Sequence, residues 1–297
     1  MNDDIKKMWI DRDRITLAMT SDGLFRAAVI RNSNTVRTAQ QKHSLGPIES
    51  LVLGRALTGA SLMASFLKGE ERVSIHCEGD GIISSVYAEA MQLGEVRGYV
   101  HANTKTVVDR QSPLGEGLLR VRRVRYGEFE PITGIVELSK GDVTTDLSFY
   151  LTQSEQIPSA FVMDVAYDND DLIRQSVGLL VQAMPGARPE DIFKVYDTID
   201  YLDRLTEFAD KGYTTAEMLS QIMPTEITEI STSPVDYFCR CSHDSFKGLL
   251  LTLGLEEITG MESAGQNELV CQYCSTHYLL TPQDFAELRE TILAKRN

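Results

Sequence analysis

The sequence predicts an α+β amino-terminal domain with sandwich-like layering, then an acidic helical linker, then a small tail organised around cysteines. Three observations carry that prediction. From Ile15 to about Val165, short β-prone runs bounded by turn residues alternate with apolar helical stretches. Beyond Met184-Pro185-Gly186, positions 187–230 hold ten acidic and four basic side chains while apolar residues keep a helical period. Four of the five cysteines then fall in the last fifth of the 297 residues. The expected divisions are 1–184, 185–230 and 231–297.

Taken in order, Ile15–Thr20 and Leu24–Ile30 read as a hairpin around Ser21-Asp22-Gly23. Thr35–His43 reads as a short polar helix. Ile48–Leu67 reads as a long one, with Pro47 placed for its first turn and Gly69 for its stop. Its small residues favour close packing on a sheet. Glu49 and Arg55 argue for a buried helix rather than a membrane span, since each charge costs about 2.5–3.5 kcal/mol near mid-bilayer. Arg72–Glu78 and Ile82–Ala88 read as strands joined by Gly79-Asp80-Gly81, whose glycines would supply positive φ. Further strands are expected at Glu95–Val100, Leu118–Tyr126, Ile132–Leu138 and Ser148–Leu151.

In the linker, Ile192, Val195, Tyr196, Ile199, Leu202 and Leu205 form one helical stripe. Thr214 and Glu217 have capping-box spacing, which starts a second helix that stops before Pro224. These helices are too few to bury a core alone. They must lean on a neighbouring domain, in an interface that can open without global unfolding.

The tail carries Cys239-Arg240-Cys241 and, after a gap of 29 residues, Cys271-Gln272-Tyr273-Cys274, ahead of a helix-like Asp284–Lys295. Four thiolates suit one Zn²⁺ in a closed tetrahedral shell at about 2.3 Å. The Cys-x-Cys half needs a local bend to turn both sulfurs to one ion, and the same bend brings them within disulfide range. A piece this small gains little from apolar burial, whereas a structural zinc contributes about 10–16 kcal/mol, so loss of metal should unfold it. A static zinc ribbon fits the spacing, and so does a redox switch. Metal-bound sulfurs are stored as thiolates, and an oxidised one condenses with its near neighbour to a disulfide. A nucleic-acid finger is disfavoured by the tail's nine acidic against five basic residues, and a catalytic zinc by the closed ligand shell. His243 and His277 flank the thiol pairs and read as surface histidines rather than substitute ligands.

A net charge of −14 and a pI near 4.8 disfavour nucleic acid and anionic membranes as partners. The first residues lack a secretory pattern, so a cytoplasmic setting is expected. No P-loop, GxSxG elbow or dinucleotide fingerprint appears, and nothing in the sequence points to ATP. Cys77 reads as a small core residue, with His76 on the opposite face of its strand. Arg120, Arg122, Arg123 and Arg125 read as an arginine-lined strand edge pairing with surplus carboxylates.

Beyond the cysteines, Leu53-Gly54-Arg55-Ala56-Leu57, Glu78-Gly79-Asp80-Gly81, Ser154-Glu155-Gln156-Ile157-Pro158-Ser159 and Val181-Gln182-Ala183-Met184-Pro185-Gly186 stand out. In these motifs the chain resembles, end to end, the redox-regulated heat-shock chaperones of 33 kilodaltons. It departs at Gln175–Leu180, where members often carry a glycine pair, and its stretch to about Asp11 is longer than usual. The resemblance implies an ATP-independent holdase that binds unfolding client proteins, is silent while reduced and zinc-bound, and dimerises when oxidised. It implies that Cys239, Cys241, Cys271 and Cys274 are both the ligands of one Zn²⁺ per chain and the redox-active thiols, with near-neighbour disulfides in the active form. The competing class is an enzyme, a thiol-disulfide oxidoreductase using Cys271-Gln272-Tyr273-Cys274. A catalytic pair of that kind normally opens a helix within a βαβ unit, not a metal-dependent tail.

Overall fold

A computed structural model describes residues 12–68, 71–103, 109, 111–125, 127, 130–202, 204–223 and 225–296. The described chain divides into two compact units, up to Phe238 and from Cys239 onward. The first unit thus runs past the expected boundary at 230/231.

The first unit holds two sheets. β1 (Arg14–Thr20) and β2 (Phe25–Arg31) form the expected hairpin, with Gly23 at φ 72° and the Asp22 carboxylate accepting from the Leu24 amide and the Thr20 hydroxyl. Helix α1 spans Ser33–His43, and α2 spans Pro47–Ala64 with Pro47 in its first turn. The Asn32 side chain does not cap α1. The first amides of this helix donate instead to the buried Asp13 carboxylate, Thr35 at 2.5 Å and Asn34 at 3.1 Å. Strands β3 (Arg72–Gly79), β4 (Ile83–Met91), β5 (Glu95–Ala102), β6 (Gly117–Val124) and β7 (Ile132–Glu137) follow. Helix α3 is Val143–Gln153, β8 is Ser159–Tyr167 and β9 is Ile173–Ala183. Three helices come next, α4 (Pro189–Asp200), α5 (Leu205–Asp210) and α6 (Thr215–Ile222), then β10 (Ile227–Pro234) and β11 (Asp236–Tyr237).

One sheet has the order β10-β1-β2-β9-β8, and the other β11-β5-β4-β3-β6-β7. Apolar all round, α2 lies in the main core, where Leu53, Leu57 and Leu62 are fully buried with Ile30, Ile75, Val86 and Leu180. Its small residues permit that closeness. A Cβ on Gly59 would stand 2.5 Å from Leu147 Cδ1, and one on Gly178 of β9 only 2.4 Å from Thr58 Cγ2. Within this core α2 keeps its charge by pairing Arg55 with Asp142. No described helix is long and apolar enough to cross a membrane.

The opposite face of the first sheet has a core of its own. Ala18, Phe25, Ala27, Val29, Val177, Leu179 and Val181 are covered by Val195, Leu205, Ala209, Met218, Leu219 and Ile222. This is where the linker stripe goes. The Thr214/Glu217 capping box is present, and α6 stops at Ile222; Pro224, Gly69, Tyr126 and positions 1–11 lie outside the described residues. Both ends of the helical segment are tied to the β1–β2 turn, by the Met184 amide on the Leu24 carbonyl and the Ser21 amide on the Glu226 carbonyl, each at 2.8 Å.

Four local readings are corrected. Ser148–Leu151 is not a strand but part of α3, because Asp142 caps the Thr145 amide at 3.1 Å and Leu147, Tyr150 and Leu151 recur at helical spacing on one buried face. Gly79 and Gly81 are not positive-φ turn residues. They are small because the 113–116 backbone crosses them, and added Cβ atoms would meet Leu114 O at 2.0 Å and Pro113 O at 2.4 Å. The arginine strand is not an edge, since β6 lies between β3 and β7; Arg120 pairs with Glu78, and Arg123 with Glu155 at 2.6 Å. Finally, α2 ends at Ala64 rather than Leu67.

Candidate metal centre

The second unit brings the two thiol pairs together by different local means. Cys239 and Cys241 lie on the irregular stretch before α7 (His243–Leu250), and Ser242 ends that stretch by capping the Ser245 amide at 3.1 Å. Cys271 and Cys274 form the tip between β12 (Glu268–Val270) and β13 (His277–Leu279), which pair antiparallel. The Cys271 carbonyl accepts from the Ser275 amide at 2.7 Å, and Ser275 takes a left-handed φ of 54° to close the knuckle. Helices α8 (Leu255–Ser263) and α9 (Pro282–Arg296) complete the unit. Its apolar core is small, namely Leu250, Ile258, Leu280, Phe285, Leu288 and Ile292.

The four Sγ atoms lie within 4.8 Å of one another. Cys239 Sγ is 3.7 Å from Cys271 Sγ, and Cys241 Sγ is 3.3 Å from Cys274 Sγ. No disulfide joins them. Sulfurs at the corners of a tetrahedron of radius about 2.3 Å stand about 3.8 Å apart, so this cluster can hold a metal ion. The thiols also meet polar groups. Cys241 Sγ is 3.1 Å from the Tyr278 hydroxyl, which donates to the Cys241 carbonyl at 3.1 Å, and Cys274 Sγ is 3.2 Å from Thr276 Oγ1.

Without metal these environments differ. Burial pushes the Cys271 thiol up to about 12, and burial also raises Cys241. At Cys274 burial acts in the same sense but is outweighed by hydrogen bonds from Thr276 and from its sulfur neighbours, which bring it down to about 7. Tyr278 is pushed up to about 12, first by its hydrogen bond to Cys241 and then by burial.

Both flanking histidines point elsewhere, as expected of surface residues. His277 Nδ1 is 2.6 Å from Glu268 Oε1, and His243 Nε2 is 3.5 Å from Asp284 Oδ2. Cys77 is fully buried in the main core, where burial raises its thiol, and it takes no part in the cluster. What the sequence reading missed is the support from Tyr278 and Thr276. Tyr278 stands on β13 four residues after Cys274, and only the hairpin pairing turns it toward Cys241.

Fold and site together define a two-unit α+β protein whose carboxy-terminal unit carries a cluster of four thiols that could hold a metal ion. A family model described as Hsp33 protein matches residues 13–281, and the chain belongs to that family. It is thus a member of a chaperone family. Proteins named 33 kDa chaperonin from Bacillus velezensis and Bacillus subtilis are each 32% identical to it, over 94% of this chain and 98% of theirs. The crystal structure of the 33 kDa chaperonin (heat shock protein 33 homolog) from Thermotoga maritima aligns with a TM-score of 0.86 at 29% identity, covering 95% of this chain and 99% of that one.

Proposed function

We propose that this chaperone is an ATP-independent holdase of the cytoplasm, held silent by a zinc-thiolate centre and switched on by thiol oxidation. The observation that carries this reading is the convergence of Cys239, Cys241, Cys271 and Cys274 within 4.8 Å. In the reduced state these four residues are the ligands, and a bound Zn²⁺ would supply the cross-link that a six-residue core does not. Peroxide takes two electrons and two protons from each thiol pair and leaves as two waters. One sulfur attacks a peroxide oxygen and becomes a sulfenic acid with release of the first water. The other sulfur then attacks that sulfenic sulfur, forming the S–S bond and expelling its hydroxyl as the second water. Near-neighbour pairing, Cys239 with Cys241 and Cys271 with Cys274, is the pattern that the family resemblance implies. The separations across the pairs are also short, so disulfide mapping by mass spectrometry decides between the two patterns. Either pattern removes the ligands.

Clients would bind apolar surface. The best supported candidate is the sheet face of Phe25, Val29, Val177 and Leu179, which is covered mainly, among the described residues, by the helices of the acidic segment. Opening those helices exposes the face and leaves the main core, on the other side of the same sheet, intact. Association of two oxidised chains through part of this surface would give the active dimer. The oxidoreductase reading gains no support from the geometry, because the Cys271–Cys274 pair caps a β-hairpin and opens no helix.

The test follows zinc release, thiol oxidation and suppression of client aggregation on one time course after peroxide is added to reduced protein. The expected result is one zinc released per chain, with protection rising on the same schedule. Zinc that stays bound, or equal protection before and after oxidation, would reduce the centre to a structural staple. Efficient insulin reduction with a dithiol donor would return the enzyme reading.

A further inference from the structure

Two of the motifs noted in the sequence, Ser154–Ser159 and Val181–Gly186, lie outside the thiol centre, and both border cavities that meet at one guanidinium. The larger cavity, about 420 Å³, is walled by Ile157, Pro158, Met184, Pro185 and Ile192 with Arg26. The smaller, about 120 Å³, lies among Met63, Phe66, Leu151 and Leu180, and includes Arg123 and Glu155. Arg26 and Ile157 belong to both.

Arg26 is half-buried on β2 and held in place from two sides. Its Nε donates to Gln182 Oε1 at 3.0 Å, and its guanidinium carbon lies 4.3 Å from the centroid of the Phe66 ring. No described carboxylate forms an ion pair with it; Glu155 is engaged by Arg123 at 2.6 Å. Arg123 Nε is itself buried with no acceptor. Burial, and secondly the charge of Arg123, lower the Arg26 pKa, and the Glu155 carboxylate, engaged by Arg123, only partly offsets them. Counting Arg26, Arg123 and Glu155, the pocket holds one uncompensated positive charge against apolar walls. One carboxylate neutralises it, and its two oxygens match the fork of a guanidinium. A dianion would bring a second charge into contact with Ile157 and Met184.

We propose that Arg26 and the two motif segments form a binding site for a small monocarboxylate with an unbranched apolar tail, the carboxylate on the Arg26 guanidinium and the tail along Ile157, Met184 and Ile192. The volume lies within the ordinary range for small-ligand sites. The site includes no residue of the thiol centre, but Ile192 stands on α4, so one wall belongs to the helical cover that the proposed switch opens, and the test is therefore run on the reduced protein.

Octanoate, titrated calorimetrically into the reduced full-length protein, is the probe, with 1-octanol and octylamine as headgroup controls and acetate and butanoate as a length series. The expected result is one saturable site per chain for octanoate, weaker binding for each shorter acid, and none for the amine. Arg26→Met keeps an apolar stem over Phe66 and should weaken octanoate by about tenfold or more, the scale of a charge-assisted hydrogen bond. Absence of saturable octanoate binding, equal binding of octanol, or unchanged affinity in Arg26→Met would each overturn the proposal. The headgroup and length series need no variant, so a misfolded Arg26→Met would leave the test standing.

Discussion

The two units of this chain differ sharply in how much apolar interior they contain. Up to Phe238, two layers of apolar side chains on either face of one sheet hold the fold, and Leu57, Ile75 and Val177 are wholly buried in them. From Cys239 onward six buried side chains surround no comparable interior, and the remaining organisation centres on four sulfurs. Burial is distributed over many residues, so no single side chain decides it. Ligation of a metal by these four thiols would be concentrated at one point and would be lost at once. The proposed switch would thus place the second kind of stability where an oxidant acts.

The comparison is broken most directly by removing the metal proposed for the thiol cluster. Chelation, or Cys271→Ser, is expected to abolish protection from hydrogen exchange throughout 239–297, because about 10–16 kcal/mol of binding energy is withdrawn, while the β3–β6 strands exchange as before. A tail that stayed protected would show that its small core suffices. Thiol alkylation of the metal-free protein sharpens the point. An unfolded tail labels all four cysteines alike with a midpoint near pH 8.5, whereas a folded one labels Cys274 first, near pH 7, and Cys271 last.

Next come cavity-forming changes on the two sides of the sheet. Leu57→Ala and Leu219→Ala should each cost about 2–5 kcal/mol, but in different places. The first should lower the denaturant midpoint of the whole first unit, leaving zinc content unchanged. The second should speed hydrogen exchange over 189–222 and raise client protection in the reduced protein, because it loosens only the cover. Uniform acceleration in both variants would mean that the helices are no separable layer.

Smaller effects separate the units at their helix starts. Thr214→Ala removes the α6 capping box and should cost about 1 kcal/mol, read in the same exchange window. In the tail, Asp284 accepts from the Thr281 hydroxyl and amide and pairs with Lys247, which holds its carboxyl well below the usual range. A depressed native pKa stabilises fully above the unfolded value of about 3.9 and is lost as pH falls through the native one. The stability gap between wild type and Asp284→Asn should therefore be widest near pH 6 and close toward pH 2. A gap constant with pH would assign the effect to packing.

Much of this was legible in residues whose physics is local. Pro47 and the Thr214/Glu217 pair mark helix starts wherever they occur, and Gly23 marks a hairpin. The four cysteines announced themselves by chemistry, and their convergence needed no knowledge of the intervening helices. What failed depended on distant partners. Gly79 and Gly81 look like turn glycines until the Pro113–Gly115 backbone is laid against them. Ser148–Leu151 has strand-like residues, but Asp142 lies six positions upstream and fixes the helix phase. The sequence reading assigns no strands to Ser159–Tyr167 or Ile173–Ala183. Val177–Val181 is buried on both faces and so lacks the alternation that reveals a half-exposed strand. Nor does local pattern indicate that Ile227–Pro234 returns to pair with β1, more than two hundred residues earlier in the chain.

The ties at Leu24 and Ser21 give the acidic segment an unusual geometry. Its entry and exit are pinned to the same four-residue stretch of one hairpin, so the segment is a closed ring of about forty residues rather than a bridge between distant points. Melting it neither lengthens nor slackens the path from β9 to β10. Loop entropy grows only as the logarithm of ring size, about 0.6 kcal/mol for each doubling, so an open ring stays near its seat at high effective concentration. The three helices can therefore lift from the sheet and settle back without any search through the rest of the molecule. Replacing 187–225 by a short glycine turn should leave the sheet closed, with its apolar face permanently bare.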